Sequence, residues 1–437
     1  MSSNDTFQDY KVKHLFLLVG ENPLPNYVAT MKLLDTGGTV YLVYTNQTLS
    51  QKALLMTALK TQGFKNKEVE LKDNKSNAYR IYDKVHQEAK KISNTNPNEE
   101  PEKKLIGLHY TGGTNTMAVH AYRAIDALNR NDTVYSYLDA KTLEIFIDNP
   151  SSDSTHRGVH LTVPLEVLFK LHKYEWHEYK KPLTKPILPD AAAEFVRLYQ
   201  DEVIAKTWRT WANTHQYKNW GELNKAKNLE TGQWKSEDEL SNLSLSLTGV
   251  HPEIIEVLRH NLDASPTQLS LNVTKAKGFE SFQQVCGWLG GIWLEHYVLQ
   301  QVKELTQDLQ LGESKMSIHI RKYQSEGGKF EFDVAFMRSY QLFAISCTTS
   351  AEHTLCKLKL FEAYIRAKQL GGDEARVALV CCCDGNKYIN QQSMYRYLKS
   401  QLEGSINNPN VAVFVRQDLL NLKEKIADWV DRTKGKS

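Results

Sequence analysis

The sequence predicts an α/β protein: a doubly wound N-terminal unit, a helical connector and a second α/β unit. Three observations lead there. The 437 residues exceed the roughly 100 to 200 that one ordinary core takes. Up to Leu128 a short apolar run, a polar turn and a stretch of helical spacing recur in the same order, which is how parallel strands alternate with helices. From Met316 the pattern changes to three strand-type segments in succession before the next helix. Hydrophobic residues at 41% and charged residues at 24% fit a packed chain rather than a disordered or fibrous one.

In the first unit, His14 to Gly20 (HLFLLVG) is a nearly continuous apolar run closed by glycine, the pattern of a strand buried on both faces. The turn-rich segment Glu21 to Asn26 (ENPLPN) leads into helical spacing over Tyr27 to Leu34. A second cycle runs from the strand Thr39 to Tyr44 through Thr45 to Thr48 into a helix over Ser50 to Thr61. A further helix is expected from about Asn77 to Ile92, and 93–103 reads as a solvated loop.

The most informative element follows: a strand Leu105 to Tyr110, a loop Thr111 to Thr116 (TGGTNT) and a helix Met117 to Leu128. Glycines let backbone approach a ligand, hydroxyls and Asn115 offer hydrogen bonds, and a helix N-terminus favours an anion. The loop matches neither a dinucleotide fingerprint nor a P-loop, so an ordinary NAD or ATP site is disfavoured. The loops after Val19, Tyr44 and Tyr110 should all emerge at the carboxyl edge of the sheet, where open α/β folds bind ligands.

The strand followed by Tyr110, Thr111, Gly112, Gly113, Thr114, Asn115 and Met117, with the early GENPLPN loop, resembles the CARF sensor domains of CRISPR-associated effectors over roughly residues 12 to 175. That resemblance implies a Rossmann-like unit, a homodimer, and a cyclic oligoadenylate, most commonly cyclic tetra-adenylate, bound across the twofold axis. It implies that Asn22, Thr45, Asn46, Thr111, Gly112, Gly113, Thr114 and Asn115 line the site.

Strand-type segments Thr133 to Leu138 and Leu143 to Ile147 finish the first unit, taken as 1–175. A proline-punctuated stretch, Lys181 to Pro189, opens a mainly helical connector, 176–265, with Trp208, Trp211, Trp220 and Trp234 among lysines. These tryptophans are expected to anchor small helices to their neighbours, since Trp usually buries one face; stacking on single-stranded bases is the other use of such a pattern.

The remaining unit, 266–437, opens on a helix over Gly287 to Leu299 that is apolar nearly all round, with Glu295 as its one acid. A buried carboxylate costs several kcal/mol unless it is paired or binds a metal. Strand segments Met316 to Ile320, Phe330 to Phe336 and Gln341 to Cys347 follow, the last two forming a hairpin through Met337 to Tyr340. Strand alternation puts Glu331 and Asp333 on one face, with Phe330, Phe332 and Val334 on the other. Acids at Glu331 and Asp333 beside Glu295 would make an oxygen-rich site suited to Mg²⁺ or Mn²⁺, whose natural reaction is phosphodiester cleavage. A helix from Glu352 to Leu370 and a buried strand Val377 to Cys382 complete the order.

The motifs GWLGGIWLE, EFD, ISCTT and KLFEA in this order resemble the PD-(D/E)xK nuclease superfamily, in particular the nucleases fused to CARF domains in type III CRISPR systems, over roughly 278–420. The resemblance implies a metal-dependent endonuclease acting on DNA, RNA or both in antiviral defence. Glu295 and Asp333, helped by Glu331 or the Cys347 carbonyl, would hold the metal. The chain departs from the superfamily on its third strand, where Ser346, Cys347 and Thr348 stand in place of an acid, one residue and a lysine. Ser346 and Thr348 are carried as candidate catalytic residues. Lys357 or Lys359, from the next helix, is the candidate to supply the missing cation by orienting water or steadying the phosphorane. Lys359, Glu362 and Arg366 share one stripe of that helix. The alternative is a catalytically inactive sensor or nucleic-acid-binding adaptor.

No apolar run reaches the roughly 18 to 20 residues a bilayer span needs, and the polar start lacks the parts of a signal peptide. A cytoplasmic protein without membrane contact is expected. The six cysteines lack the paired spacing of zinc sites and read as reduced core residues.

Overall fold

The structure is a computed structural model that describes residues 7–95, 105–139, 141–148, 155–213, 220–323, 329–389, 392–400 and 410–431. Most of the loop expected over 93–103 lies outside the described residues.

Among the described residues the first sheet has seven strands. Its centre is Val12–Leu18, flanked by Leu34–Tyr44 on one side and Ile106–His109 on the other, both parallel to it. Lys65–Glu70 extends the parallel set beyond Leu34–Tyr44, and Val134–Asp139 extends it beyond Ile106–His109. Two antiparallel strands, Glu144–Asp148 and Thr155–Gly158, close that edge. Helices Leu24–Leu33 and Leu49–Thr61 cover one face and Ala78–Thr95 and Asn115–Asp126 the other, so the doubly wound expectation holds. The strand order reverses between Val12–Leu18 and Ile106–His109, which makes the loops after them the switch point where such folds take ligands.

Two local readings change. The first helix begins at Leu24, inside the segment read as a turn, because proline suits the first helical turn, where its missing N–H is not needed. The strand Lys65–Glu70 was not foreseen: only Val69 of its residues is buried, so it shows no apolar run.

The second sheet has the order Val411–Phe414, Arg376–Cys381, Gln341–Thr348, Phe330–Arg338, Leu311–Lys322, Tyr174–Trp176. Its first three strands are parallel and the others antiparallel. Tyr174–Trp176 pairs with Leu311–Lys322, so the boundary expected at residue 175 falls inside a strand of the second unit. The connector is likewise not a separate body. Phe195, Trp208 and Trp211 share one core with Trp288, Trp293 and the inner residues of the second sheet. Trp208 and Trp211 are buried and stacked at 4.4 Å, as anchors rather than as a base-stacking surface. Trp234 is half buried beneath Lys227, whose Nζ lies 3.8 Å from the ring centroid, and Trp220 stays exposed.

The opposite face of this sheet carries the helix His353–Gly371. Its core runs without interruption through Leu165, Leu168 and Phe169 into the first unit.

The alternation of faces inverts within the strand Phe330–Arg338. Phe330 and Phe332 join one core, but Val334 joins the other, so these three do not share a face as expected. The pairing of Leu311–Lys322 with Phe330–Arg338 runs through Ile318 and Phe332 and resumes at Met316 and Val334, skipping Ser317 and Asp333. Ser317 has a φ of 50°, and Met316 and Ile318 on either side of it fall in different cores, as Val334 and Phe332 do, with the register of the pair unchanged.

Candidate functional site

The break at Ser317 and Asp333 sits where the helix Trp293–Glu304 crosses the sheet, and it brings three acids together. One carboxylate oxygen from each of Glu295, Glu331 and Asp333 lies within 4.8 Å of the other two. Glu295 sits in the first turn of its helix, just after a π-helical kink over Trp288–Ile292, a device that redirects side chains at functional sites.

Asp333 is buried and firmly held. Its Oδ2 accepts hydrogen bonds from Ser346 Oγ at 2.9 Å and from the Cys347 amide at 2.6 Å. Lys359 Nζ lies 3.6 Å from the same oxygen. Ser346 therefore braces the acid. Thr348 stands at the strand end, where its hydroxyl accepts from the Ser350 amide.

The structure separates the two candidate lysines. Lys359 reaches the acids, whereas Lys357 sits over the Phe361 ring at 5.8 Å, a surface contact on the same helix. Arg366, on the Lys359 stripe, lies over Phe330 at 4.8 Å.

The electrostatics are those of crowded negative charge. Loss of solvent, then the charges of Asp333 and Glu331, hold the Glu295 carboxyl well above the usual range. Glu331 stands at the rim with its side chain 41% exposed. Its carboxyl is still pushed up to about 7, by partial desolvation first and by Asp333 second. Burial alone would lower the Lys359 ammonium, but Asp333, Glu295 and Glu331 keep it above its ordinary value, so it stays charged. One ammonium does not balance three carboxylates. An oxygen-only donor set with a deficit of positive charge fits a hard divalent cation.

At the carboxyl edge of the first sheet, the loops after Val12–Leu18 and Ile106–His109 pack backbone to backbone. A Cβ on Gly20 would lie 2.9 Å from the Gly113 amide, and one on Gly112 would lie 2.5 Å from the Leu18 carbonyl. Gly112 also takes a φ of 112°, so this close approach needs glycine. Several hydroxyls expected to face a ligand also make hydrogen bonds within the loops. Thr111 Oγ1 accepts from the Leu138 amide at 2.6 Å. Thr114 caps the helix through Met117 N and donates to the Lys75 carbonyl. Thr45 is buried and locked in a reciprocal cap with Thr48. Asn22 accepts from the Leu24 amide and lies in a cleft of about 690 Å³ between the units, with Lys173, Lys322 and Lys368. Of the expected site residues, Gly113, Asn115 and Asn46 are exposed, the last bonded to Asp73.

No family model matches the chain, and no curated protein matches it by sequence. Solved structures do match. Protein VC1899 from Vibrio cholerae superimposes with a TM-score of 0.70 at 13% identity, over 97% of this chain and 99% of that one. Can2 from Sulfobacillus thermosulfidooxidans, in complex with cyclic tetra-adenylate, gives 0.62 at 14% over 95% and 99%. A type III CRISPR defence DNA nuclease activated by cyclic oligoadenylate gives 0.52 at 16%, over 85% of this chain and 45% of that chain. The chain has the fold of these proteins.

Within that shared fold, sequence reasoning missed two residues at the acids. Ser317 Oγ approaches Glu295 Oε2 at 3.4 Å, and its only signal is a left-handed φ that no motif announces. His319 Nε2 lies 3.3 Å from Glu331 Oε1. Burial first, then the charges of Lys180 and His177, press His319 down to about 4, so it is a neutral partner at physiological pH. Its place opposite Glu331 is set by the pairing of the two strands, which no sequence motif announces.

Proposed function

We propose that the chain is a nuclease gated by a cyclic oligoadenylate, in which the first unit takes the activator and the second cleaves a phosphodiester bond at Glu295, Glu331 and Asp333. The convergence of these three carboxylates within 4.8 Å, beside Lys359, carries this reading. Mg²⁺ or Mn²⁺ held by the three acids would neutralise phosphate charge and make water a nucleophile near neutral pH.

The protein's own groups have distinct work. Ser346 and the Cys347 amide fix Asp333 through Oδ2, so Oδ1 is the oxygen free to meet a cation. His319 orients Glu331 and Ser317 orients Glu295. Lys359 stands where the third strand lacks a cation, and its charge would stabilise the developing negative charge on the phosphorane. Its presence favours an active nuclease over an inactive adaptor.

In the first unit, Gly112, Gly113 and the N-terminus of the helix Asn115–Asp126 would present amides to phosphates, with Asn115 and Asn46 as adaptable polar contacts. The activator in this reading is cyclic tetra-adenylate, the ligand of the Can2 structure, held across a homodimer. The protein would act in the cytoplasm in type III CRISPR defence, on DNA, RNA or both. Among the described residues no helix is long and apolar enough to cross a membrane.

The test is incubation of purified protein with Mn²⁺, supercoiled plasmid and labelled single-stranded RNA, with and without cyclic tetra-adenylate. Cleavage that requires both metal and activator is expected, and its substrate names the preference. Ring binding without cleavage of either substrate would make the protein a sensor or adaptor instead.

A further inference from the structure

A second group of metal-ligating side chains lies in the same unit and plays no part in the acid site. Cys356, Cys381 and Cys383 are all fully buried, and their sulfur atoms lie within 4.8 Å of one another. Sequence spacing hid this cluster, because Cys381 and Cys383 are separated by one residue and Cys356 comes from another element. Strand geometry assembles it. Cys381 ends the strand Arg376–Cys381, Cys383 follows on the same face, and Cys382 points into the opposite core. Cys356 enters from the first turn of the helix His353–Gly371.

The sulfurs are closer than inert packing requires: Cys381 Sγ and Cys383 Sγ are 3.0 Å apart. Cys356 stands in the first turn of its helix, where negative charge on a sulfur is favoured.

We propose that Cys356, Cys381 and Cys383 form a trithiolate site for one soft, thiophilic cation of the Zn²⁺ or Cu⁺ class. An all-sulfur donor set selects such ions and rejects Mg²⁺ and Mn²⁺. Metal–sulfur bonds of about 2.3 Å to three sulfurs around one ion place those sulfurs about 4 Å apart. That matches the span of the cluster once Cys381 and Cys383 spread by about 1 Å, a side-chain adjustment. The bound ion would tie the first turn of the helix to the end of the central strand. Lys359 lies one turn further along that helix, so the site would serve as a structural clamp beneath the residue that faces the acids.

The test is titration of the full-length, freshly reduced protein with Cd²⁺, followed by the ultraviolet sulfur-to-cadmium charge-transfer band. Competition with Zn²⁺, and with Cu⁺ held in a chelator, distinguishes the two natural ions. Wild type and Cys382→Ala should saturate at one equivalent, while Cys383→Ala and Cys356→Ala should bind at least about 100-fold more weakly. Thermal unfolding gives a second reading: with the acid site held by excess Mg²⁺, one equivalent of Zn²⁺ should raise the midpoint of wild type and Cys382→Ala, and leave Cys383→Ala unmoved. Absence of the band in wild type, or equal binding by Cys382→Ala and Cys383→Ala, would overturn the proposal.

Discussion

Asn22, in the loop after the first strand, lies directly against Gly372, which ends the helix that carries Lys359. A Cβ on Gly372 would fall 2.8 Å from Asn22 Nδ2, and the glycine takes a φ of 70° and a ψ of −158°. This backbone region is essentially glycine-only. The contact joins the carboxyl edge of the first sheet to the far end of the helix that places Lys359 beside Asp333.

Gly372→Ala is expected to cost about 1 to 3 kcal/mol of stability, from backbone strain and displaced Asn22. If the contact transmits activation, Asn22→Ala should lower the ratio of activated to basal cleavage while leaving metal-dependent basal cleavage in place. Equal activation ratios in Asn22→Ala and wild type, measured at saturating cyclic tetra-adenylate, would remove this contact from the route.

Stability should depend on pH in an unusual direction. The Glu331 carboxyl sits at about 7 against an ordinary 4.5, and Glu295 is also raised. The native state therefore holds protons that the unfolded chain has released. The corresponding stability is fully present below about 4.5 and is lost as pH rises through about 7. Metal-free protein in chelator should unfold at lower temperature at pH 8 than at pH 6, by more than Glu331→Gln does. Mn²⁺ should reverse the difference, because the deprotonated acids are its ligands. A thermal midpoint that is flat across this range in chelator would contradict the charge balance described.

Gly112→Ala should fail structurally before it fails functionally. The added methyl would meet the Leu18 carbonyl at 2.5 Å with the backbone at a φ of 112°, so the two switch-point loops must part. A loss of at least about 1 to 3 kcal/mol is expected, read as a lower urea midpoint. Asn115→Ala, an exposed position, should leave that midpoint within about 0.5 kcal/mol and act on ring affinity alone.

The sequence made legible those features whose physics is local. Strands buried on both faces, such as Val12–Leu18 and Arg376–Cys381, announce themselves as continuous apolar runs. Glu295 stood out as the one acid of an apolar helix, and Glu331 and Asp333 as acids two apart on a strand. What stayed hidden depends on contacts between distant segments. The edge strand Lys65–Glu70 forms because Leu34–Tyr44 offers it hydrogen bonds. The inversion at Ser317 and Asp333 breaks the alternation on which the facing of Val334 was judged. Thr111, Thr114 and Thr45 have the chemistry of ligand donors, but Leu138, Lys75 and Thr48 claim their hydroxyls. Choosing Lys359 over Lys357 needs the helix phase relative to the sheet, which the helix sequence leaves open.

The central claim is that Glu295, Glu331 and Asp333 with Lys359 form one phosphodiester-cleaving site. Single-turnover cleavage in Mn²⁺ at saturating activator, by wild type, Asp333→Ala, Lys359→Met and Lys357→Met, tests it most directly. Asp333→Ala and Lys359→Met should each lose at least about 100-fold in rate while remaining folded, and Lys357→Met should stay within about 2-fold of wild type. Cleavage by Asp333→Ala at the wild-type rate, or a defect confined to Lys357→Met, would contradict the account.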